Sequence, residues 1–272
     1  MSLAGLQVLA LESRRAAEIE VLIRKREGTP FVAPSLREAP IEANEEAFDF
    51  AKRLFAQEFD MMVLLTGVGT RYLHQLLATR YPPERFPAAL REVTVVARGP
   101  KPAAVLRELQ VPVTVMVPEP NTWRELVAAT EGRPERRIAI QEYGRPNPAL
   151  VSAFRERGAA VTNVRVYQWL LPLDLEPLRE AVRRLANRVI DVALFTTAVQ
   201  VHHLFQVAES MSLAGEVRDG LRRAAIASIG PTCTEALEEY GLRPDLEPSH
   251  PKMGFLVQET AARAAGILKE KR

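Results

Sequence analysis

Four turns in this chain place side-chain hydroxyls and backbone N–H groups at the start of a predicted helix. In each turn a short apolar run ends in small, hydroxyl-bearing or basic residues just before helical spacing begins. The unpaired N–H groups and the positive dipole end of a helix start favour bound anions. One such turn is most simply a helix cap, but four of them indicate a ligand with several negative charges. The turns are Thr66-Gly-Val-Gly, Arg98-Gly99-Pro-Lys101, Thr196-Thr197-Ala and Ser228-Ile-Gly230-Pro-Thr232.

Tyr167 is the candidate for a catalytic role. It ends a predicted strand, Ala160 to Tyr167, that leads into the segment up to Leu178. A tyrosine at a strand end is ordinarily structural, with its ring packed and its hydroxyl at the surface. This one lies where the chain is predicted to cross between two similar halves, so we expect its phenol to lie near a ligand site.

The other reactive side chains are weaker candidates. Cys233 lies in the first turn of a predicted helix, where a thiolate is favoured, but no partner histidine is indicated. The four histidines have no spacing typical of a metal site. The Thr66-Gly-Val-Gly turn lacks the third glycine of a dinucleotide fingerprint, since Tyr72 occupies its place. A structural role is therefore the simpler interpretation of these residues.

The chain contains two internal repeats, which indicate how these turns are arranged. We call the part that contains Val8–Glu12 A and its repeat, which contains Ile138–Glu142, A′. The part that contains Asp60–Thr66 is B′, and its repeat, which contains Asp191–Thr197, is B. In chain order these parts read A, B′, A′, B. If B′ and A′ form one lobe, the other lobe is A plus B, split by an insertion. At an offset of 131 positions, Asp60–Thr66 falls on Asp191–Thr197 and Gly99-Pro100 falls on Gly230-Pro231; at an offset of 130, Val8–Glu12 falls on Ile138–Glu142.

Strands and helices alternate in both lobes, which predicts an α/β fold with parallel sheets covered on both faces. We expect lobe 1 to comprise residues 1–35 and 173–272, and lobe 2 to comprise residues 36–172. The two proline-bearing crossings fall near 34–41 and 168–173. Ligands of such sheets bind at the carboxyl ends of the strands, so the turns are predicted to line a cleft between the lobes.

Composition excludes several classes of protein. The 272 residues are 47% hydrophobic and carry a net charge of +2, so no global charge favours nucleic acid or an anionic membrane. A single cysteine cannot form an intrachain disulfide. The N-terminus lacks a signal-peptide pattern and no segment has the length of a membrane span. We therefore expect a cytoplasmic monomer.

Taken together, three motifs and the split-lobe order resemble the uroporphyrinogen-III synthase family. The motifs are the run Ala225–Leu237, Leu194-Phe-Thr-Thr, and Val166-Tyr167-Gln168. The resemblance implies two flavodoxin-like parallel-sheet lobes joined by a two-stranded linker, the second lobe inserted into the first. It also implies closure of the linear tetrapyrrole hydroxymethylbilane into uroporphyrinogen III, with inversion of the terminal pyrrole ring and loss of water. No cofactor and no metal is implied.

The resemblance also implies roles for single residues. Tyr167 matches the tyrosine that assists departure of the hydroxyl group, and Thr232 matches a threonine at the substrate site. Thr197 stands where the family usually has serine, and Arg98 where a small residue is usual. With the repeated turns and the nearby basic residues, the predicted substrate-binding set is Arg14, Thr66, Arg98, Gly99, Lys101, Gly144, Arg145, Thr196, Thr197, Ser228, Gly230 and Thr232.

Two alternatives stay open from the residues alone. One is a non-catalytic two-lobe binding or sensor protein for a small polyanionic ligand. The other is a flavin or nucleotide enzyme, which the incomplete glycine pattern disfavours.

Overall fold

Short buried apolar runs form the central strands of each sheet, and amphipathic segments between strands form most of the helices. A computed structural model describes residues 2–41, 44–142, 144 and 146–271. The strands are β1 (Gln7–Ala10), β2 (Thr29–Val32), β3 (Arg37–Pro40), β4 (Met61–Leu64), β5 (Thr94–Ala97), β6 (Val115–Met116), β7 (Arg137–Gln141), β8 (Ala160–Val164), β9 (Tyr167–Leu170), β10 (Val192–Phe195) and β11 (Ala225–Ser228). The helices are α1 (Ala16–Arg24), α2 (Glu45–Phe55), α3 (Gly67–Leu77), α4 (Arg85–Arg91), α5 (Pro100–Glu108), α6 (Trp123–Ala129), α7 (Pro148–Glu156), α8 (Glu176–Ala186), α9 (Ala198–Ser210), α10 (Ala214–Arg223), α11 (Pro231–Glu239) and α12 (Met253–Lys271).

The chain divides into two units, and the first of them is discontinuous. Unit 1 comprises Met1–Arg37 and Leu170–Arg272, and unit 2 is the inserted segment Glu38–Trp169. Both changes of unit fall within β3 and β9, which pair with each other as a two-stranded sheet. The predicted fold class, two parallel-sheet lobes with a two-stranded linker, is confirmed.

Unit 1 is built on a four-stranded parallel sheet in the order β11-β10-β1-β2. Side chains alternate along each strand, so each strand contributes to both faces. On one face Leu9 and Phe195 pack with α8, α9 and α11. On the other face Val8 and Leu194 pack with α1 and α12. An isolated parallel bridge from Ala227 to Leu246 extends the edge beside β11.

Unit 2 is built on a five-stranded parallel sheet in the order β6-β5-β4-β7-β8. One face is covered by α2, α3, α4 and α5 through a core that includes Phe50 and Leu73. The other face is covered by α6 and α7 through a core that includes Leu126 and Phe154. In both units the strand order reverses beside the central strand, between β4 and β7 in unit 2 and between β10 and β1 in unit 1.

The register of the ladders agrees with the internal repeats. Val8 pairs with Val192 in unit 1, and Ile138 pairs with Met61 in unit 2. Ile138 lies 130 positions after Val8, and Met61 lies 131 positions before Val192. The repeats therefore mark one supersecondary pattern used twice, with its two parts in opposite chain order.

The structure differs from the prediction around Tyr167. The strand predicted to run from Ala160 to Tyr167 ends at Val164, and Tyr167 begins β9 instead. The carbonyl of Val166 accepts a hydrogen bond of 3.2 Å from the N–H of Ile41. The backbone pairs with β7 up to Val164 and with the segment after β3 from Val166 onward. One continuous strand therefore cannot extend from Ala160 to Tyr167.

Two further helices, α4 and α10, each lie between a longer helix and a strand. Helix α4 begins at Arg85, shortly after the adjacent prolines Pro82 and Pro83. Pro87 lies in the first turn of α4, where the missing N–H of proline would have no helical partner anyway. Helix α10 follows α9 directly after Ser212, whose φ of 57° ends α9. No helix in the described part of the chain is both long enough and apolar enough to span a membrane.

Helix α10 contains a matched pair of glycines that tests how closely it packs on α8. A Cβ on Gly220 would overlap the carbonyl oxygen of Leu185, whereas a Cβ on Gly215 would meet nothing within 4 Å. We expect Gly220→Ala to lower the free energy of unfolding by about 1–3 kcal/mol, because the two helices must move apart. Gly215→Ala should raise it by about 0.5–1 kcal/mol, since alanine loses less entropy on folding. Urea unfolding measures both, and equal effects at the two positions would contradict the close contact.

Candidate active site

The point where the strand order of unit 2 reverses carries the residues with the clearest chemistry. Strand β4 ends at Leu64, and Thr66 caps α3 with extended backbone angles. The Oγ1 of Thr66 accepts a hydrogen bond of 3.0 Å from the N–H of Gly69, and its carbonyl accepts one of 2.8 Å from the hydroxyl of Thr70. These contacts fix the direction of the Thr66 side chain at the carboxyl end of the sheet.

Tyr167 meets this turn through its hydroxyl. The Oη of Tyr167 lies 3.2 Å from the Oγ1 of Thr66, so either group can donate the hydrogen bond. The tyrosine is only 1% exposed. Its ring packs against Tyr72 at a centroid distance of 6.1 Å and against the edge of Trp169 at 5.6 Å. The family resemblance implies that Tyr167 assists departure of the hydroxyl group. In the structure its ring is buried among aromatic residues, and its buried hydroxyl contacts the partly exposed Thr66.

Gly144 explains how a backbone segment comes so close to this tyrosine. Its φ of 64° is a conformation that glycine adopts without strain. A Cβ at this position would lie 2.5 Å from the Cδ1 of Trp169 and 3.1 Å from the Cε2 of Tyr167. The predicted substrate-binding residue Gly144 therefore lies beside the tyrosine ring. The neighbouring prediction, Arg145, lies outside the described residues.

Gln141 is a residue of this site that the sequence reasoning missed. It ends β7, is fully buried, and accepts a hydrogen bond of 3.2 Å at Oε1 from the N–H of Thr66. Its Nε2 donates to the carbonyl of Glu142. Gly69 leaves room for this amide, because a Cβ on Gly69 would overlap it. The available signal was a glutamine at the end of an otherwise apolar strand, where the repeat in unit 1 has Leu11.

Glu142, which follows Gln141, is a second group that was not assigned. It is only 6% exposed. Burial raises the pKa of its carboxyl group, while the guanidinium of Arg165 acts in the opposite direction. In the repeat it corresponds to Glu12 of unit 1, so each unit places one carboxyl group directly after a central strand.

The second turn of unit 2 lies against the first. A Cβ on Gly67, the first residue of α3, would lie 2.6 Å from the carbonyl oxygen of Lys101 on α5. The starts of α3 and α5 are therefore adjacent at one edge of the sheet. Gly99 is similarly confined, since a Cβ there would lie 2.7 Å from the side chain of Asn121. Arg98 is partly exposed and Lys101 is exposed, so both can reach an anionic ligand at this edge.

At the corresponding edge of unit 1, a hydrogen bond joins the turns that follow β10 and β1, the two strands between which the strand order reverses. The hydroxyl of Thr196, after β10, donates to the Oε2 of Glu12, after β1, at 2.5 Å. The buried amide of Gln200 accepts from the N–H of Thr196 at 2.7 Å and donates to its Oγ1 at 2.8 Å. Thr197 is the partly exposed N-cap of α9, and Arg14 is exposed in the turn after β1.

The last predicted turn contains one buried and one exposed hydroxyl. Ser228 is fully buried, and its Oγ donates to the carbonyl of Gly230 and accepts from the hydroxyl of Thr234. This side chain stabilises the turn itself. Gly230 is the N-cap of α11, and Thr232 is exposed in the first turn of that helix. Most N–H groups of the turn donate within the protein. Exposed Thr232 is thus the part of this turn that a ligand can reach.

The predicted residues accordingly form two sets, each at the carboxyl end of one parallel sheet. The set in unit 2 is Thr66, Arg98, Gly99, Lys101, Gly144 and Tyr167; the set in unit 1 is Arg14, Thr196, Thr197, Ser228, Gly230 and Thr232. In the part of the chain that the structure describes, no group of three or more histidine, cysteine, aspartate or glutamate side chains could hold a metal ion.

Cys233 has the properties of a packing residue. It is 2% exposed, and burial raises the pKa of its thiol to about 11. A thiol with this pKa is almost entirely protonated at neutral pH, and only the thiolate is a good nucleophile. The sequence-based preference for a structural role over a nucleophile agrees with this setting.

We expect Cys233 to resist aromatic disulfide reagents at pH 8 while the protein is folded, and to react fully in guanidinium chloride. The measurement is the absorbance of the released thiolate over time. Because this is the single cysteine of the chain, the signal has one source. Rapid labelling of the native protein would contradict the buried, protonated thiol.

Comparisons with known proteins agree with this geometry. The family described as "Uroporphyrinogen-III synthase HemD" matches residues 17–258. A Bacillus subtilis protein named "Uncharacterized protein YjjA" is 30% identical over 263 residues, covering 95% of this chain and 96% of that protein. A "Putative uroporphyrinogen-III synthase" from Methanothermobacter thermautotrophicus is 29% identical over 233 residues, covering 84% of this chain and 87% of that protein.

Among solved structures, a mutant uroporphyrinogen III synthase from Thermus thermophilus superposes with a TM-score of 0.75 at 27% identity. The alignment covers 96% of this chain and 99% of the Thermus chain. The agreement therefore extends over both units and the linker strands. With the family match over most of its length, this chain belongs to the uroporphyrinogen-III synthase family.

Proposed function

We propose that this protein is a lyase that closes hydroxymethylbilane to uroporphyrinogen III, with inversion of the terminal pyrrole ring and loss of water. The observation that carries the proposal is the family match, which spans residues 17–258 and so includes the turns of both units. The geometry of those turns supports it, because the substrate is a chain of pyrroles that each bear two carboxylates.

The turns offer the groups that such a substrate needs. The adjacent starts of α3 and α5 direct backbone N–H groups and positive dipole ends to the same edge. Exposed Lys101 adds a full positive charge, and partly exposed Arg98 can form paired hydrogen bonds with a carboxylate. In unit 1, exposed Arg14 offers a positive charge and exposed Thr232 offers a hydroxyl. Each unit can therefore hold carboxylates with groups that carry out no chemistry themselves.

The reaction begins with loss of the hydroxyl group of the substrate, which leaves as water once a proton reaches it. Tyr167 is the proposed donor, because its phenol lies at the Thr66 turn in a largely desolvated setting. The resulting cationic methylene pyrrole is attacked by the substituted carbon of the terminal ring. The spiro intermediate then fragments and closes again with that ring inverted.

Positioning accounts for most of the catalysis in this proposal. The linear substrate can also close unaided without inversion, so the protein must favour one pair of carbons over another. Holding reacting atoms in the correct arrangement is a large catalytic effect that needs no strong acid or base. Cys233 and Ser228 are consistent with this proposal, because both are buried and stabilise the conformation of a turn instead of reacting with a ligand.

The alternative, a non-catalytic sensor or binding protein for a small polyanion, is not favoured by the family match. A cytoplasmic location and a monomeric state stay predictions from composition.

The test of the proposed function is an isomer assay. Freshly generated hydroxymethylbilane is incubated with the protein, the products are oxidised, and the uroporphyrin isomers are separated. We expect isomer III to predominate, whereas the reaction without protein gives isomer I by unaided closure. A protein that binds the substrate but leaves only isomer I would support the sensor alternative and overturn the enzyme proposal.

Tyr167→Phe tests the proton donor. We expect turnover to isomer III to fall by about 10²-fold, the lower end for a positioned general acid, because the ring still packs but the proton is lost. Tyr240→Phe is the matched control: it also removes one hydrogen-bonded hydroxyl, 3.3 Å from the Nδ1 of His202, but Tyr240 is the C-cap of α11, at the end of that helix away from the Thr232 turn. Unchanged turnover in Tyr167→Phe would remove this residue from the mechanism.

Thr232→Ala tests the contribution of a side-chain hydroxyl at a helix start. We expect a smaller loss, about tenfold in kcat/KM, because the backbone N–H of Thr232 remains and one hydrogen bond to a charged group contributes about 1.5 kcal/mol. Steady-state kinetics of isomer III formation provide the measurement. A loss as large as that of Tyr167→Phe would assign Thr232 a part in the chemical step instead.

A further inference from the structure

We propose that Thr66 is a catalytic residue that carries the proton from the buried phenol of Tyr167 to the departing hydroxyl group of the substrate. The inference rests on the proposed function and adds a second hydroxyl to its chemical step. It starts from a conflict: the proposed donor is 1% exposed, yet its proton must reach a ligand.

Thr66 resolves this conflict because it contacts the phenol and also reaches the surface. Its Oγ1 lies 3.2 Å from the Oη of Tyr167, and the residue is partly exposed at the carboxyl end of β4. The ring of Tyr167 is held between Tyr72 and Trp169, with Gly144 against its edge. A direct transfer requires this packing to open, whereas a transfer through Thr66 leaves it in place.

The hydrogen-bonding capacity of Thr66 suits a relay. A hydroxyl has one donor and two acceptor positions. One acceptor position of Oγ1 is taken by the N–H of Gly69. If Tyr167 donates to the other, the hydroxyl proton of Thr66 is left for a group outside the turn. The two hydroxyls then form a chain that runs from the core to the sheet edge.

The proton balance of the step is closed. As the carbon–oxygen bond of the substrate breaks, the hydroxyl proton of Thr66 moves to the leaving oxygen, and the proton of Tyr167 moves to Thr66. Water departs, the substrate becomes the cationic methylene pyrrole, and Tyr167 becomes a phenolate. When the macrocycle closes, the pyrrole carbon loses its proton, which returns through Thr66 to the phenolate.

The turn around Thr66 is held more firmly than capping alone requires. The fully buried amide of Gln141 accepts from the backbone N–H of Thr66, and Thr70 donates to its carbonyl. Gly69 is the residue that makes room for Gln141. Gln141 is therefore a positioning residue, because it fixes the backbone from which the Thr66 hydroxyl extends.

A double-mutant cycle in kcat tests the relay. We expect Thr66→Val and Tyr167→Phe each to lower kcat by about 10²-fold. The kcat of the double variant should lie within about threefold of either single variant, because loss of one hydroxyl already interrupts the proton path. Independent roles would instead lower kcat of the double variant by about 10⁴-fold. The KM should change little in all three, which separates a lost proton path from a lost carboxylate contact.

Three further variants separate proton transfer from helix capping. Thr66→Asn keeps a strong N-cap but has no hydroxyl, so we expect stability to be kept and kcat to fall as in Thr66→Val. Thr66→Ser keeps both the cap and the hydroxyl and should restore kcat to within about threefold of the original chain. Thr130→Val is the matched control, since it also removes a buried threonine hydroxyl of unit 2, one that donates to the carbonyls of Leu126 and Val127 at the end of α6 and has no part in the proton path; kcat should be retained.

The outcomes distinguish the relay from the function on which it rests. If the original chain forms no isomer III, the proposed function fails before the relay is reached. If the original chain is active and Tyr167→Phe is impaired, near-normal kcat in Thr66→Asn overturns the relay and leaves direct transfer from Tyr167. A double variant far below both single variants overturns it as well.

Discussion

Pairing of the backbone where a parallel strand ends is the constraint on which the site of this protein depends. At the carboxyl end of a central strand the chain leaves the ladder, and its N–H groups must find other partners or pay the cost of burial. In unit 2 the amide of Gln141 satisfies the N–H of Thr66, and in unit 1 the amide of Gln200 satisfies that of Thr196. Each unit thus buries one glutamine at the turn before a helix, α3 in unit 2 and α9 in unit 1.

The two units meet this constraint from opposite directions. In unit 1 the glutamine comes from the helix, at the position where unit 2 has Gly69. In unit 2 it comes from the strand, at the position where unit 1 has Leu11, and the absent side chain of Gly69 provides the space. Both units therefore have a buried glutamine amide at this turn, although the glutamine belongs to a helix in unit 1 and to a strand in unit 2. Among the residues that the structure describes, a tyrosine hydrogen bond to this turn is seen in unit 2, between Thr66 and Tyr167, which is why the proposed chemistry belongs there.

The repeats made the architecture predictable because strand pairing depends on apolar runs of matching length. Val8–Glu12 and Ile138–Glu142 share an apolar pattern that suits strands buried on both faces, and their ladders use the same register. The end of β8 could not be read in this way. Residues 160–167 are rich in valine as far as Val166 and give no local signal for a strand end. The change of partner at Val166 is set by the N–H of Ile41, which is far away in the chain.

The sequence by itself determined the parallel α/β class, the split of one lobe by the other, the position of the turns and the identity of Tyr167 as the residue of interest. These follow from local spacing, from repetition and from family resemblance, all of which are written along the chain. Only the tertiary structure decided that Tyr167 is buried, that Thr66 is its hydrogen-bond partner, and that Gln141 holds that partner in place. Those facts join residues 75 and 101 positions apart, and such pairings depend on how the strands pack side by side, which no local pattern records.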